Sequence, residues 1–197
     1  MGKLVERLQA CLLELEAHHN GVDGWRPSGQ ATPYLYLLYN KGRDGVTAND
    51  VRLEPWVWGM NRTLGGFLHR SADLISQHQG MTSKLIRPDM IGVGVVCEGW
   101  ALGTDEAEDV ERVARERRIH QHVNRRENRI VLGTLMAGST VYSVIRFRRQ
   151  NEIIALPDNE REATLEGAIP EGLRYMADTL LMVSSMGGTH VRPGIVF

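Results

Sequence analysis

The chain has 197 residues, 42% of them hydrophobic and 24% charged, with a formal net charge of −1. That size and mixture suit one globular domain with a sizeable core. They exclude a disordered or collagenous chain, and a protein drawn as a whole to nucleic acid or to an anionic membrane. Cys11 and Cys97 are too few for a disulfide framework or a zinc ribbon. Each lies in an apolar pattern and reads as a buried free thiol of a reducing compartment. Met1-Gly2-Lys3 opens neither a signal sequence nor a myristoylation motif, and the apolar run MIGVGVVC at 90–97 is too short to span a membrane. The expectation is a cytoplasmic protein with no membrane partner.

Taken in chain order, Leu4, Leu8, Cys11, Leu12 and Leu15 recur at helical spacing over 3–18, with Glu14 and Glu16 placed mostly off that stripe. A turn-rich loop carrying Trp25 leads to the strand YLYLLY at 34–39. VRLEPWVWG, which starts at Val51, reads as irregular or as a poor edge strand because Pro55 interrupts it. Leu64, Leu68, Ala72 and Ile75 predict a second helix, weakened by Gly65-Gly66. IGVGVVCEGWAL at 91–102 is the clearest strand, with Ile91, Val93, Val95 and Cys97 expected on one face. Acidic residues 105–109 open a third helix after Thr104, and Arg115, Arg117 and Arg118 fall at its C-terminal end. RIVLGTLM and TVYSVIRF read as a hairpin, and NEIIAL as an added strand. Pro170 at a first turn, then Leu173, Met176, Ala177, Leu180 and Leu181, give the last helix. The sum is an α+β protein: a mainly antiparallel sheet of about four to five strands flanked by helices, one domain over 1–185, and a flexible Gly-rich tail at 186–197.

Several pieces in this order carry a resemblance. They are the first helix running into HNGVDGW, then YLYLLY, IGVGVVCEGWAL, RIVLGTLMAGSTVYSVIRFR and the Pro-led last helix. Together they resemble a family of small uncharacterised actinobacterial α+β proteins. The longer middle at 40–90, the basic connector and the Gly-rich tail depart from that pattern. The resemblance implies a divergent member, with an actinobacterial phage as one setting. It implies the fold and supplies no site residues.

Charge is unevenly placed. Residues 115–149 hold nine arginines against two glutamates, an excess of seven positive charges between acidic flanks. RERRIHQHVNRRENR, at 115–129, could serve as a phosphate clamp, a His-x-His metal site or a solvated connector. His120 and His122 would share a face on a strand and could hold zinc or iron, yet the surrounding arginines repel a cation. If Tyr142, Val144, Arg146 and Arg148 share one hairpin face, arginines could line a groove for nucleic acid, although no RNA- or DNA-binding motif accompanies them. GVGVVC resembles a dinucleotide fingerprint but lies inside a strand, and no nucleophile elbow or phosphate loop occurs. The connector reading is therefore preferred. The expected function is a non-catalytic interaction module without a cofactor, binding another protein or itself. Its expected surface comprises Trp56, Trp58, Arg117, Arg118, Arg125, Arg126, Arg146 and Arg148. A nucleic-acid-associated protein using 115–149, and a metal-dependent enzyme around His120 and His122, are the two alternatives.

Overall fold

Leu8, Cys11, Leu12 and Leu15 step by three or four residues, which gathers them on one side of a helix. In the computed structural model that helix is α1, Gly2–Val22, and all four side chains are buried. The structure describes residues 2–22, 25, 32–51, 63–101, 121, 124–148, 153–156 and 167–186. After α1 the chain forms β1 (Tyr34–Asn40), a 3-10 turn (Gly42–Asp44), β2 (Val46–Val51), α2 (Leu64–Gln77) and α3 (Gln79–Leu85). It continues as β3 (Met90–Ala101), β4 (Arg126–Leu135), β5 (Val141–Phe147), β6 (Ile153–Leu156) and α4 (Ala168–Met186). The expected third helix at 104–118 and the tail beyond Met186 lie outside the described residues.

The strands make one sheet in the order β2-β1-β3-β4-β5-β6, and every neighbouring pair is antiparallel. The protein is α+β, with six strands where four to five were expected. The additional one is β2, whose VTANDV sequence contains Ala, Asn and Asp, residues depleted in strands. Its pairing with β1, not its own propensity, makes it a strand. Helix α3 was also unforeseen, because QGMTSKL has no apolar stripe and His78 offers no side-chain cap.

Each face of the sheet carries its own core. One is built from Val93, Val95, Leu132 and Val141 under Phe67 and Leu68 of α2 and Leu173, Met176 and Leu180 of α4. The other joins Leu8, Leu12 and Leu15 of α1 to Tyr36, Leu38, Val96, Val131 and Val144. Burying each of these large aliphatic side chains contributes about 1.5–3 kcal/mol. Ile91 packs with the α1 core and not with Val93 and Val95, because the pairing of β1 with β3 shifts register between Leu38 and Tyr39. Leu181, expected on the buried stripe of α4, is 42% exposed. It lies one residue past Leu180 and so is turned some 100° away from the sheet.

Helix α2 begins at Thr63, whose Oγ1 accepts a hydrogen bond from the Gly66 amide at 3.1 Å. Gly65 and Gly172 mark the closest approach of α2 and α4. A Cβ at Gly65 would sit 2.5 Å from the Ala168 carbonyl oxygen, and one at Gly172 would sit 2.9 Å from the Leu68 Cβ. The glycine that seemed to weaken the second helix is what lets its partner pack.

Candidate functional site

The last two turns of α1 carry polar residues onto the sheet. Glu16 continues the Leu8–Leu12 series by four residues, and His19 follows Leu15 in the same way. Both are buried, Glu16 completely. The sequence expectation that Glu16 lies off the stripe is corrected here, since its helical phase places it beside Leu12.

Beneath Glu16, three strands align charged residues in one row. Glu98 of β3 pairs in register with Arg129 of β4, and Arg129 with Arg146 of β5. The Arg129 side chain is 1% exposed, and its Nε and Nη2 donate to Glu98 Oε1 at 3.2 and 2.7 Å. Its Nη1 lies 3.9 Å from Glu16 Oε1. Arg146 donates from Nε and Nη2 to the two oxygens of Glu16 at 2.6 and 2.8 Å, a fork-to-carboxylate pair. That hydrogen bond raises the Arg146 pKa, outweighing the opposing effect of burial, so the guanidinium remains charged.

The next row outward runs through Trp100 and Glu127, which are partners in register. Arg148 meets the same row: its amide donates to the Glu127 carbonyl at 2.8 Å, and its Nη1 donates to Glu127 Oε2. Trp25 covers both rows. The guanidinium carbons of Arg129 and Arg148 lie 4.8 and 5.9 Å from ring centroids of Trp25. Arg125, which is exposed, stacks on Trp100 at 5.0 Å. Beside this cluster, His19 Nε2 is hydrogen-bonded to the Tyr36 hydroxyl at 2.7 Å, and its ring lies 4.4 Å from that of Tyr34.

Of the residues expected to form an interaction surface, Arg125, Arg146 and Arg148 come together at this end of the sheet. Arg126 is exposed at the start of β4, opposite Ala101. Trp56, Trp58, Arg117 and Arg118, and the alternative metal pair His120 and His122, lie outside the described residues. Tyr142, Val144 and Arg146 do share one hairpin face, but that face is filled by α1, with Glu16 seated on Arg146. Arg129, read as part of a solvated connector, is instead the largest fully buried side chain among the described residues. Being two residues from Val131 on a strand, it had to share that core-facing side. Sequence reasoning also missed Glu98, Trp25, Trp100, His19 and Tyr36 as parts of the site. The usable signals were the four-residue step to Glu16 and the two-residue steps Val96–Glu98–Trp100 and Arg129–Val131.

Chemically, the cluster sets three guanidinium groups against three carboxylates: Arg129, Arg146 and Arg148 against Glu16, Glu98 and Glu127. The charge is locally cancelled, and the acids are engaged as acceptors. Cys11 is buried and Cys97, next to Glu98, is partly buried instead of fully buried as expected; burial pushes their thiols up to about 11 and about 12, with Glu14 and Glu98 adding smaller effects. Among the described residues, no three His, Cys, Asp or Glu side chains converge as a metal site, and no helix is long and apolar enough to cross a membrane. No family model, no curated protein and no solved structure matches the chain.

Proposed function

We propose that the protein is a non-catalytic interaction module that meets another protein through the aromatic–guanidinium end of its sheet. The observation that carries this reading is the pairing of Arg125 with Trp100 beside Arg148, Glu127 and Trp25. Stacked guanidinium and indole groups are the residue types that dominate protein contacts, and here the sheet holds them in place before any partner arrives. A polyanion is the poorer occupant, because three of the arginines already share three carboxylates. The cytoplasm of an actinobacterial host, or a virion of its phage, is the setting that accompanies this proposal.

The test is affinity capture from the source cell with wild-type protein and with Trp100→Ala and Arg125→Ala. The same protein partner should be retained by the wild type and reduced at least about tenfold by either variant, which corresponds to the loss of about 1.4 kcal/mol. Capture that is indifferent to both substitutions would contradict the proposal.

A further inference from the structure

The sheet has two edges, and they differ in kind. On β2, Asn49 and Asp50 are exposed, and an unpaired edge carrying a charge resists further strand pairing. The opposite edge, β6, is Ile153–Leu156, four uncharged residues. It pairs with β5 through Ile153 opposite Arg146 and Ile154 opposite Ile145. Successive residues point to opposite faces, so Ile153 belongs to the α1 side and Ile154 to the side of α2 and α4. Both are 37% exposed, and Ala155 between Ile154 and the strand end is exposed as well. Among the described residues no helix packs more than marginally on this strand: α1 packs chiefly on β2, β4 and β5, and α4 on β3, β4 and β5. Among the described residues, β5 is the one strand paired with β6.

We infer that β6 pairs antiparallel with β6 of a second copy of this chain, joining two sheets edge to edge about a two-fold axis at Ile154. In an antiparallel ladder, directly opposed residues must turn their backbone groups the same way. That admits registers whose paired residue numbers sum to an even value, and of these the one that stacks the larger side chain on the axis sets Ile154 against Ile154 of the second copy, and Ile153 against Ala155. No charge is opposed or buried in that join, so the strand is complementary to itself. The alternatives fare worse. Pairing β2 with β2 would bring two charged edges together. Pairing β2 with β6 is heterologous and would give a larger ring or an open filament, not a pair. The β6–β6 join closes on itself and leaves the two charged β2 edges outermost. The inference is independent of the aromatic–guanidinium reading, since loss of binding at Trp100 leaves this edge untouched.

Sedimentation velocity on the full chain tests it. A join of four residues lies at the weak end of interfaces, so the mass should move from one chain towards two between about 1 and 100 µM. Ile154→Lys and Ile154→Glu, each placing like charge on the axis, should stay at the mass of one chain with an unchanged far-UV spectrum. Mixing these two variants should restore the dimer, because residue 154 meets itself. If the spectra show that they do not fold, Ile153→Lys mixed with Ala155→Glu sets Lys opposite Glu across the same axis, and the mixture should dimerise more tightly than either variant alone. A wild type that stays monomeric throughout would overturn the inference. So would Ile154 variants that still dimerise alone, or a folded complementary mixture that does not.

Discussion

Glu16 and Arg146 lie 130 residues apart and are joined by two hydrogen bonds of 2.6 and 2.8 Å, with the glutamate fully buried. This pair pins the end of α1 to the open end of the β4–β5 hairpin, and through Glu16 it places the second carboxylate near Arg129. Removing one partner of a buried pair leaves the other charged without compensation, at a cost of about 3–5 kcal/mol. Glu16→Ala should lose that much in urea unfolding. Adding Arg146→Met to Glu16→Leu should recover a clear part of the loss, since both charges then go. A Glu16 variant within about 0.5 kcal/mol of wild type would show that the pair contributes nothing.

The approach of α2 to α4 makes a second prediction. Gly172→Ala presses a methyl group against Leu68 and the Gly65 carbonyl, at 2.9 and 3.1 Å. Overpacking of this kind costs about 1–3 kcal/mol, and for a chain of this length each kcal/mol lowers Tm by about 2–4 °C. Calorimetry should show that drop for Gly172→Ala. Gly80→Ala, where nothing lies within 4 Å of the added carbon, should melt no lower than wild type.

The thiols give a third. With Cys11 pushed up to about 11 and Cys97 to about 12 by burial, neither supplies thiolate near neutrality. A colorimetric thiol reagent at about pH 8, below the ordinary thiol pKa, should find no fast-reacting group in the native protein and two after denaturation. Because both folded pKa values are raised, the stability these groups contribute is full below the ordinary thiol value and declines as pH rises through it.

Acid acts at a different place. Asp89 accepts from Lys41 and Arg87, and these hydrogen bonds, that from Lys41 first, hold its carboxyl below the ordinary 3.8. A depressed folded pKa gives stability that is present above the ordinary value and lost as pH falls through the folded one. The side chain is 30% exposed and solvent screens it, so the effect is at most about 1 kcal/mol. Asp89→Asn should therefore melt slightly below wild type at neutral pH, and the difference should vanish in acid below the ordinary carboxylate range. A difference that persists there would assign it to packing.

Much of the fold is legible in the residues because apolar periodicity survives locally. Val93 and Val95, Val141, and the Leu173–Leu180 stripe each announce their element and its buried side. What was not legible depends on neighbours. In VTANDV the strand preference of Val46, Thr47 and Val51 is offset by Ala48, Asn49 and Asp50, and pairing with β1 decides it. The site was harder, because a buried ion pair looks in sequence like two surface charges. Glu16 and Arg146 can be recognised as core residues only once α1 is known to lie over β5. Arg129 was misread because its chain neighbours, Arg125 and Arg126, are exposed, whereas its spatial neighbours are Glu98 and Trp25.

Arg129, Arg146 and Arg148 are held by glutamates of the same molecule, which leaves them poorly placed to grip a polyanion. The most direct measurement is a fluorescence-anisotropy titration of labelled single-stranded and duplex oligonucleotides at about 50 and 200 mM salt. The account predicts nothing tighter than ordinary non-specific binding at the higher salt, about 10⁻⁴ to 10⁻⁶ M. Binding near 10⁻⁸ M that falls steeply with salt, and is abolished by Arg146→Glu or Arg148→Glu in folded protein, would contradict it.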